Sequence, residues 1–151
     1  MDDQDKISLR CSALVLRRDT VLLCRRSDDW VLPGGTPHHG ESVGACVRRE
    51  TREETGLAVH PTSVAFVLDA TNASVGHHLM EIVLYAEDES GGNADPDHRE
   101  AGLHPQFVPL DGLAGLGLRP PIAGHIRGFH AGGARRTAAY LGNVWRPANG
   151  S

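Results

Sequence analysis

Cysteine is scarce in this chain: three in 151 residues, at Cys11, Cys24 and Cys46. They are odd in number, widely separated and set in apolar stretches such as Val21-Leu22-Leu23-Cys24. That pattern argues against a disulfide framework or a cysteine zinc site and for buried, reduced thiols. Lysine is nearly absent, fourteen of the fifteen basic side chains being arginine, and nineteen acidic side chains leave a formal net charge of −4. The balance disfavours a nucleic-acid polymer as partner. No apolar run reaches membrane-spanning length, so no membrane partner is expected either. The opening Met1-Asp2-Asp3-Gln4-Asp5-Lys6 is acidic and lacks the positive-then-apolar order of a secretory signal, which makes the cytosol the expected compartment. The remaining composition, 40% hydrophobic and 23% charged, suits one domain over residues 1–151, frayed at about 1–6 and 147–151.

Local patterns order the chain. Ile7 to Arg17 alternates apolar and β-branched residues, Arg18-Asp19-Thr20 supplies a turn, and Val21 to Cys24 is a second apolar run, which together read as a hairpin. Trp30-Val31-Leu32 is a short strand ended by Pro33-Gly34-Gly35. From Glu41 to Thr55 there is no proline, Glu41-Ser42 offers an N-cap, and Gly56 stands where a left-handed C-cap would close a helix. Ser63 to Ala70 and His78 to Ala86 read as strands, the second apolar enough to be central in a sheet. Glu87 to Gly102 has no hydrophobic period and reads as a long, functional or mobile loop. Phe107 to Leu110 is a short strand, Pro120 to Phe129 a helix with proline in its first turn, and Ala131 to Arg136 a linker. Thr137 to Trp145 is a last strand or an ordered tail.

On the best helix, Glu50, Glu53 and Glu54 stand at i, i+3 and i+4, so their side chains are near neighbours on one face. The face continues a stripe through Val43, Cys46, Val47 and Leu57, which puts part of the acidic cluster beside the packing surface. A run of charges is ordinarily a solvated face, here matched by Arg48, Arg49 and Arg52. Crowded carboxylates at a packing surface, however, cannot all stay ionised without a positive charge among them. A hard divalent cation supplies it, and oxygen-only donors favour magnesium or manganese over zinc.

The spacing around this cluster resembles the Nudix box: glycine, five residues, glutamate, seven residues, Arg-Glu, an aliphatic residue, one residue, Glu-Glu, one residue, glycine and an aliphatic residue. Here it reads Gly35, Glu41, Arg49-Glu50, Thr51, Arg52, Glu53-Glu54, Thr55, Gly56, Leu57. Eight of nine specified positions are met over 23 residues. The departure is Thr51, where an aliphatic residue is usual and whose β-branched methyl can still pack.

Resemblance to the Nudix hydrolases implies an α/β fold, an α/β/α sandwich around a mixed sheet, with the box forming loop, helix and loop. It also implies divalent-metal-dependent hydrolysis of a phosphoanhydride bond in a nucleoside diphosphate linked to another moiety. On this sequence Glu50, Glu53 and Glu54 would hold Mg²⁺, with Mn²⁺ as the alternative. The carbonyl of Gly35 would add a ligand, and Glu41 and Arg49 would orient the carboxylates. The residue that takes the proton differs within the family. Glu53 is one candidate and Glu100, in the acidic loop, the other; Glu81 is a rival placed inside a strand. Arg25 and Arg26 stand where some relatives contact phosphate or base. His38-His39 and His77-His78 read as polar loop residues, and Trp145 as a packing residue that could otherwise stack on a base.

Signatures of particular subfamilies are missing. Asn72 and Ala73 stand where ADP-ribose hydrolases carry a proline, and Ser74 where diadenosine polyphosphate hydrolases carry a tyrosine. A small-molecule phosphoanhydride is the expected partner, and a homodimer the default assembly. Two other readings are a catalytically silent Nudix binding domain, which commonly loses box glutamates, and an isoprenoid diphosphate isomerase. The isomerase needs a catalytic cysteine outside the box, whereas Cys11 and Cys24 sit in strands and Cys46 in the helix.

Overall fold

A computed structural model describes residues 6–72 and 76–145. The expected frayed ends, Lys6 apart, and the signature positions Ala73 and Ser74 lie outside the described residues.

Long-range pairing of the first strand organises the molecule. β1 (Ser8–Leu14) runs parallel to β7 (His77–Asp88), from Ser8 opposite Leu79 to Leu14 opposite Tyr85. β6 (Val59–Asn72) pairs antiparallel with β7, β10 (Ala139–Asn143) parallel with β6, and β5 (Gly34–Gly35) antiparallel with β1. The result is a mixed sheet in the order β10-β6-β7-β1-β5, with the apolar strand β7 in its centre as its composition suggested. A second sheet joins β2 (Leu16–Arg17), β3 (Thr20–Arg25), β4 (Trp30–Val31) and β9 (Leu118–Arg119), and β8 (His104–Pro109) pairs with β3.

Side chains alternate across these strands, so one helix packs on each side. On one side Cys11, Ala13, Val15 and Leu22 meet Cys46, Val47 and Leu57 of helix α1 (Val43–Thr55) and its exit. On the other, Leu14, Val21, Leu23, Phe66 and Val83 meet Ile126 and Phe129 of helix α2 (Ala123–Gly132). This is the expected α/β/α sandwich. All three cysteines are free and buried, and burial pushes Cys24 and Cys46 up to about 12, which keeps both as thiols.

Helix α1 begins where its cap predicts: the Ser42 hydroxyl accepts from the Ala45 N–H at 3.1 Å, and Gly56 at φ 78° donates back to the Arg52 carbonyl. Several expected bounds shift, β6 beginning at Val59 rather than Ser63 and β8 at His104 rather than Phe107. The hairpin is shorter than its pattern, because only Leu16–Arg17 pairs back on β3 while β1 leaves to join β7. Helix α2 starts at Ala123 rather than at the prolines, since Ile122 is already out of helical geometry and Pro121 restricts the residue before it. Strand β7 continues to Asp88, where the Arg17 guanidinium donates to the carboxylate at 2.6 Å, so the acidic loop begins two residues later than expected.

Thr51, the one departure from the box pattern, is fully buried in α1, and its hydroxyl has no hydrogen-bond partner among the described residues. A buried hydroxyl without a partner costs about 1–3 kcal/mol. Thr51→Val keeps the shape and removes the polar atom. It is expected to raise the unfolding temperature by about 2–4 °C for each kcal/mol relieved in a chain of this size, measured by differential scanning calorimetry with the wild type alongside.

Candidate active site

The turn before α1 lies close to the β1 backbone on one side and to the Glu50 carboxylate on the other, which explains its two glycines. A Cβ on Gly34 would stand 2.4 Å from the Cys11 carbonyl oxygen, and one on Gly35 would stand 2.5 Å from the Glu50 carboxyl carbon. The Gly35 carbonyl faces α1, where the Cys46 thiol lies 3.7 Å away. Gly34 in turn donates its N–H to Glu54 at 3.2 Å.

Charge in the box is organised by Arg49. Its guanidinium donates twice to Glu41, at 2.7 and 2.9 Å, once to Glu50 at 2.8 Å and once to Glu53 at 3.3 Å. Glu41 also accepts the His38 N–H at 3.0 Å. The Arg49 bonds first, then that backbone N–H, hold the Glu41 carboxyl down at about 2, and the same bonds raise Arg49 above the ordinary arginine value. Glu41 and Arg49 are thus placed to orient their neighbours.

Glu54 is the exception. It is 3% exposed, and its carboxylate lies within hydrogen-bonding reach of Glu50, whose other partner is Arg49. Burial first, and then Glu50, push the Glu54 carboxyl well above the ordinary carboxylate range, against the Gly34 N–H and the charge of Arg10. Glu53 is half exposed and turned to Arg49. The structure therefore brings Glu50 and Glu54 together beside Gly35 and leaves Glu53 one guanidinium away. Among the described residues no three acidic, imidazole or thiol groups form a ready-made cation cage. The donors still fit a hard cation. Two carboxylates crowd one small volume, the Gly35 backbone lies against one of them, and every donor is oxygen.

The other candidates fall in two places. Glu100 lies in the acidic loop, closed by a bridge to Leu103, and the loop is tied to the end of α1 by the Asp97 N–H on the Thr55 carbonyl at 2.9 Å. The charges of Glu54 and Glu100 both add to the burial that raises the Cys24 thiol. Glu81 lies elsewhere, on the α2 side of β7, accepting the Ser12 hydroxyl at 2.6 Å. It lines a cleft of about 510 Å³ together with Arg10, Arg26, His77, Arg119 and Trp145. Arg26 there is closed on Asp29 by two 2.6 Å bonds, while Arg25 is exposed at the end of β3. His38 and His39 are exposed in the box loop. His78 contacts Asp69 at 3.1 Å. Trp145 belongs to the cleft and to neither core cluster.

Sequence reasoning missed Arg10 and Ser12. Two polar residues alternating inside an apolar strand were the available signal, but their meaning depends on Glu81, which reaches them only through the β1–β7 pairing.

The model of the NUDIX domain matches residues 8–129, and the chain belongs to the Nudix family. It is 31% identical over 127 residues to the NAD-capped RNA hydrolase NudC of Stutzerimonas stutzeri, covering 80% of this chain and 43% of that protein. It is 31% identical over 110 residues to an ADP-ribose pyrophosphatase of Methanocaldococcus jannaschii, covering 68% and 62%. The chain thus spans about two fifths and three fifths of these relatives. Among solved structures, a MutT NUDIX hydrolase from Burkholderia pseudomallei superposes with a TM-score of 0.62 at 28% identity, over 70% of this chain and 85% of that one. A NUDIX hydrolase from Nitrosomonas europaea shares the fold with a TM-score of 0.71 at 23% identity, over 84% and 90%.

The Glu41–Arg49 pair carries its own test. A carboxyl held below its unfolded value adds stability that is complete above that value, about 4.3, and that is lost as pH falls toward about 2. Carbon-13 NMR of the Glu41 carboxyl is expected to titrate near 2 in the wild type. In Arg49→Gln the midpoint should return most of the way to the ordinary range, the His38 N–H keeping it slightly low.

Proposed function

We propose that this chain is a divalent-metal-dependent pyrophosphohydrolase that cleaves a phosphoanhydride bond in a nucleoside diphosphate linked to another moiety. The observation that carries the reading is Glu54: a carboxyl 3% exposed, pressed against a second carboxyl, with one backbone N–H to itself. Burying that arrangement is costly unless a cation is part of it.

Glu50, Glu54 and the Gly35 carbonyl would hold Mg²⁺, or Mn²⁺ in its place, and Glu53 would join them by turning from Arg49. The ion, when bound, would lower the pKa of a water and neutralise charge on the diphosphate. The chain's own residues do the remainder. Arg49 keeps Glu50 oriented and Glu41 keeps Arg49 oriented, so the ligand carboxylates do not have to search for their rotamers. Glu53 and Glu100 are the two carboxylates available to take a proton from an attacking water. Glu81 is less suited to that role, being on the α2 side and bonded to Ser12.

The names of the two curated relatives support a nucleotide-linked diphosphate as the substrate class. Both relatives are equally identical to this chain, and Asn72 and Ala73 in place of the ADP-ribose proline weigh against ADP-ribose. All four glutamates of the box are kept, which favours catalysis over a silent binding domain.

A mass-spectrometric screen in Mg²⁺ against nucleoside triphosphates, ADP-ribose, nucleotide sugars, dinucleoside polyphosphates and NAD-capped RNA tests the reading. Cleavage of at least one class is expected. Glu54→Gln should slow it by about 10²–10³ or more, the scale of losing a group that stabilises charge in the transition state, while the protein still melts cooperatively. Near-normal turnover in that variant would remove the metal assignment, and binding without cleavage would mark a ligand-binding domain.

A further inference from the structure

The α2-side cleft holds a loose charge pair on a buried carboxylate. Arg49 closes on Glu41, Arg26 on Asp29 and Arg17 on Asp88, each at 2.6–2.7 Å. Arg10 does not close on Glu81: its Nε stays 3.7 Å from Glu81 Oε1. Glu81 is 1% exposed, accepts the Ser12 hydroxyl on Oε2 at 2.6 Å, and leaves Oε1 buried without a hydrogen-bond partner among the described residues. Arg10 instead donates from Nη2 to the Leu32 carbonyl at 2.6 Å. Among the described residues that bond takes one of the five guanidinium N–H donors and no other hydrogen bond takes the remaining four.

Position gives those donors a use. Leu32 lies two residues before Gly34, whose N–H is held by Glu54, so the bond to Leu32 fixes Arg10 on the segment that supports the candidate cation site. Its charge is felt on both sides, by Glu54 and by Glu81. A guanidinium in a cleft with a planar fork of donors fits a phosphate, which it can grip with two parallel bonds. Leu79, Pro121 and Trp145 supply an apolar wall for what the phosphate carries.

We propose that Arg10 binds a phosphate of the substrate where the α2-side cleft meets the box. Glu81 is its positioning residue: a buried counter-charge held in place by Ser12, near enough to orient Arg10 and too far to consume its donors. The assignment rests on the pyrophosphohydrolase reading for its substrate class, but it is a statement about binding and is measurable without turnover.

The experiment is calorimetric titration of metal-free protein with inorganic pyrophosphate and with AMP, GMP, CMP and UMP beside their parent nucleosides. Wild type is expected to bind pyrophosphate and at least one nucleotide. Arg10→Gln should weaken both by about tenfold or more, the scale of a charge-assisted contact, with any nucleoside affinity changed by less than about twofold. Arg10→Lys, which keeps the charge but not the fork, should fall between. Once a substrate is known, Glu81→Gln should raise KM severalfold with kcat nearly unchanged, a split that general loosening of the fold would not give.

The proposal is overturned if Arg10→Gln binds the phosphate probes as wild type does, if it loses nucleoside and nucleotide equally, or if wild type binds no phosphate probe. Should Arg10→Gln fail to melt cooperatively, Arg10→Lys decides: phosphate affinity equal to wild type overturns the two-bond grip. The two readings fail separately. Arg10-dependent phosphate binding without cleavage of any substrate sinks the hydrolase reading alone, and cleavage indifferent to Arg10 sinks this proposal alone.

Discussion

One guanidinium shared by three carboxylates is the constraint from which the site follows. Arg49 takes Glu41, Glu50 and Glu53, and having done so it has nothing left for Glu54. Like charges at i, i+3 and i+4 destabilise a bare helix, so the box helix tolerates its acidic face only because a positive charge sits inside it. Glu54, on the buried side of that face, is left with Glu50 and a backbone N–H. The glycine turn lies so close that a methyl group on Gly35 would collide with the Glu50 carboxylate and one on Gly34 with the backbone of β1. One more positive charge among these oxygens is what the proposed hard cation would supply.

Strand β1 joins that site to the cleft behind it. Its alternation sends Cys11 and Ala13 toward α1, while Arg10 and Ser12 meet Glu81 on the α2 side. The same strand also pairs Cys11 with Gly35 and Ser12 with Gly34. A shift of β1 by one residue would exchange the two faces, placing Arg10 in the apolar α1 interface and a cysteine beside Glu81. The parallel register with β7, held over seven residue pairs from Ser8 to Leu14, therefore fixes both the turn that shapes the box and the residues facing the cleft.

Legibility in the sequence followed locality. Helix α1, its Ser42 and Gly56 caps and the box residues along it are set by contacts within a few turns, and spacing alone located them. The central place of β7 was readable because a strand covered on both faces is apolar throughout. Partners distant in the chain were not readable. Local turn chemistry suggested that β1 would fold back on β3, but β7 takes it; β5 and β9 are two residues each and carry no periodic signal. The facing of Glu81, and with it the meaning of Arg10, depended on that same pairing. Arg49 was legible as an orienting residue, yet not as the group that draws Glu53 aside, since that is a competition among side chains that spacing does not resolve.

Manganese binding, followed by the loss of the free Mn²⁺ electron paramagnetic resonance signal, tests the central claim most directly because it needs no substrate. Wild-type protein should remove the signal stoichiometrically at one or more sites, Mg²⁺ should restore it by competition, and Glu50→Gln and Glu54→Gln should each weaken binding by about tenfold or more. Mn²⁺ affinity unchanged in both folded variants would contradict the account, since the crowded Glu50–Glu54 pair would then not be where the cation sits.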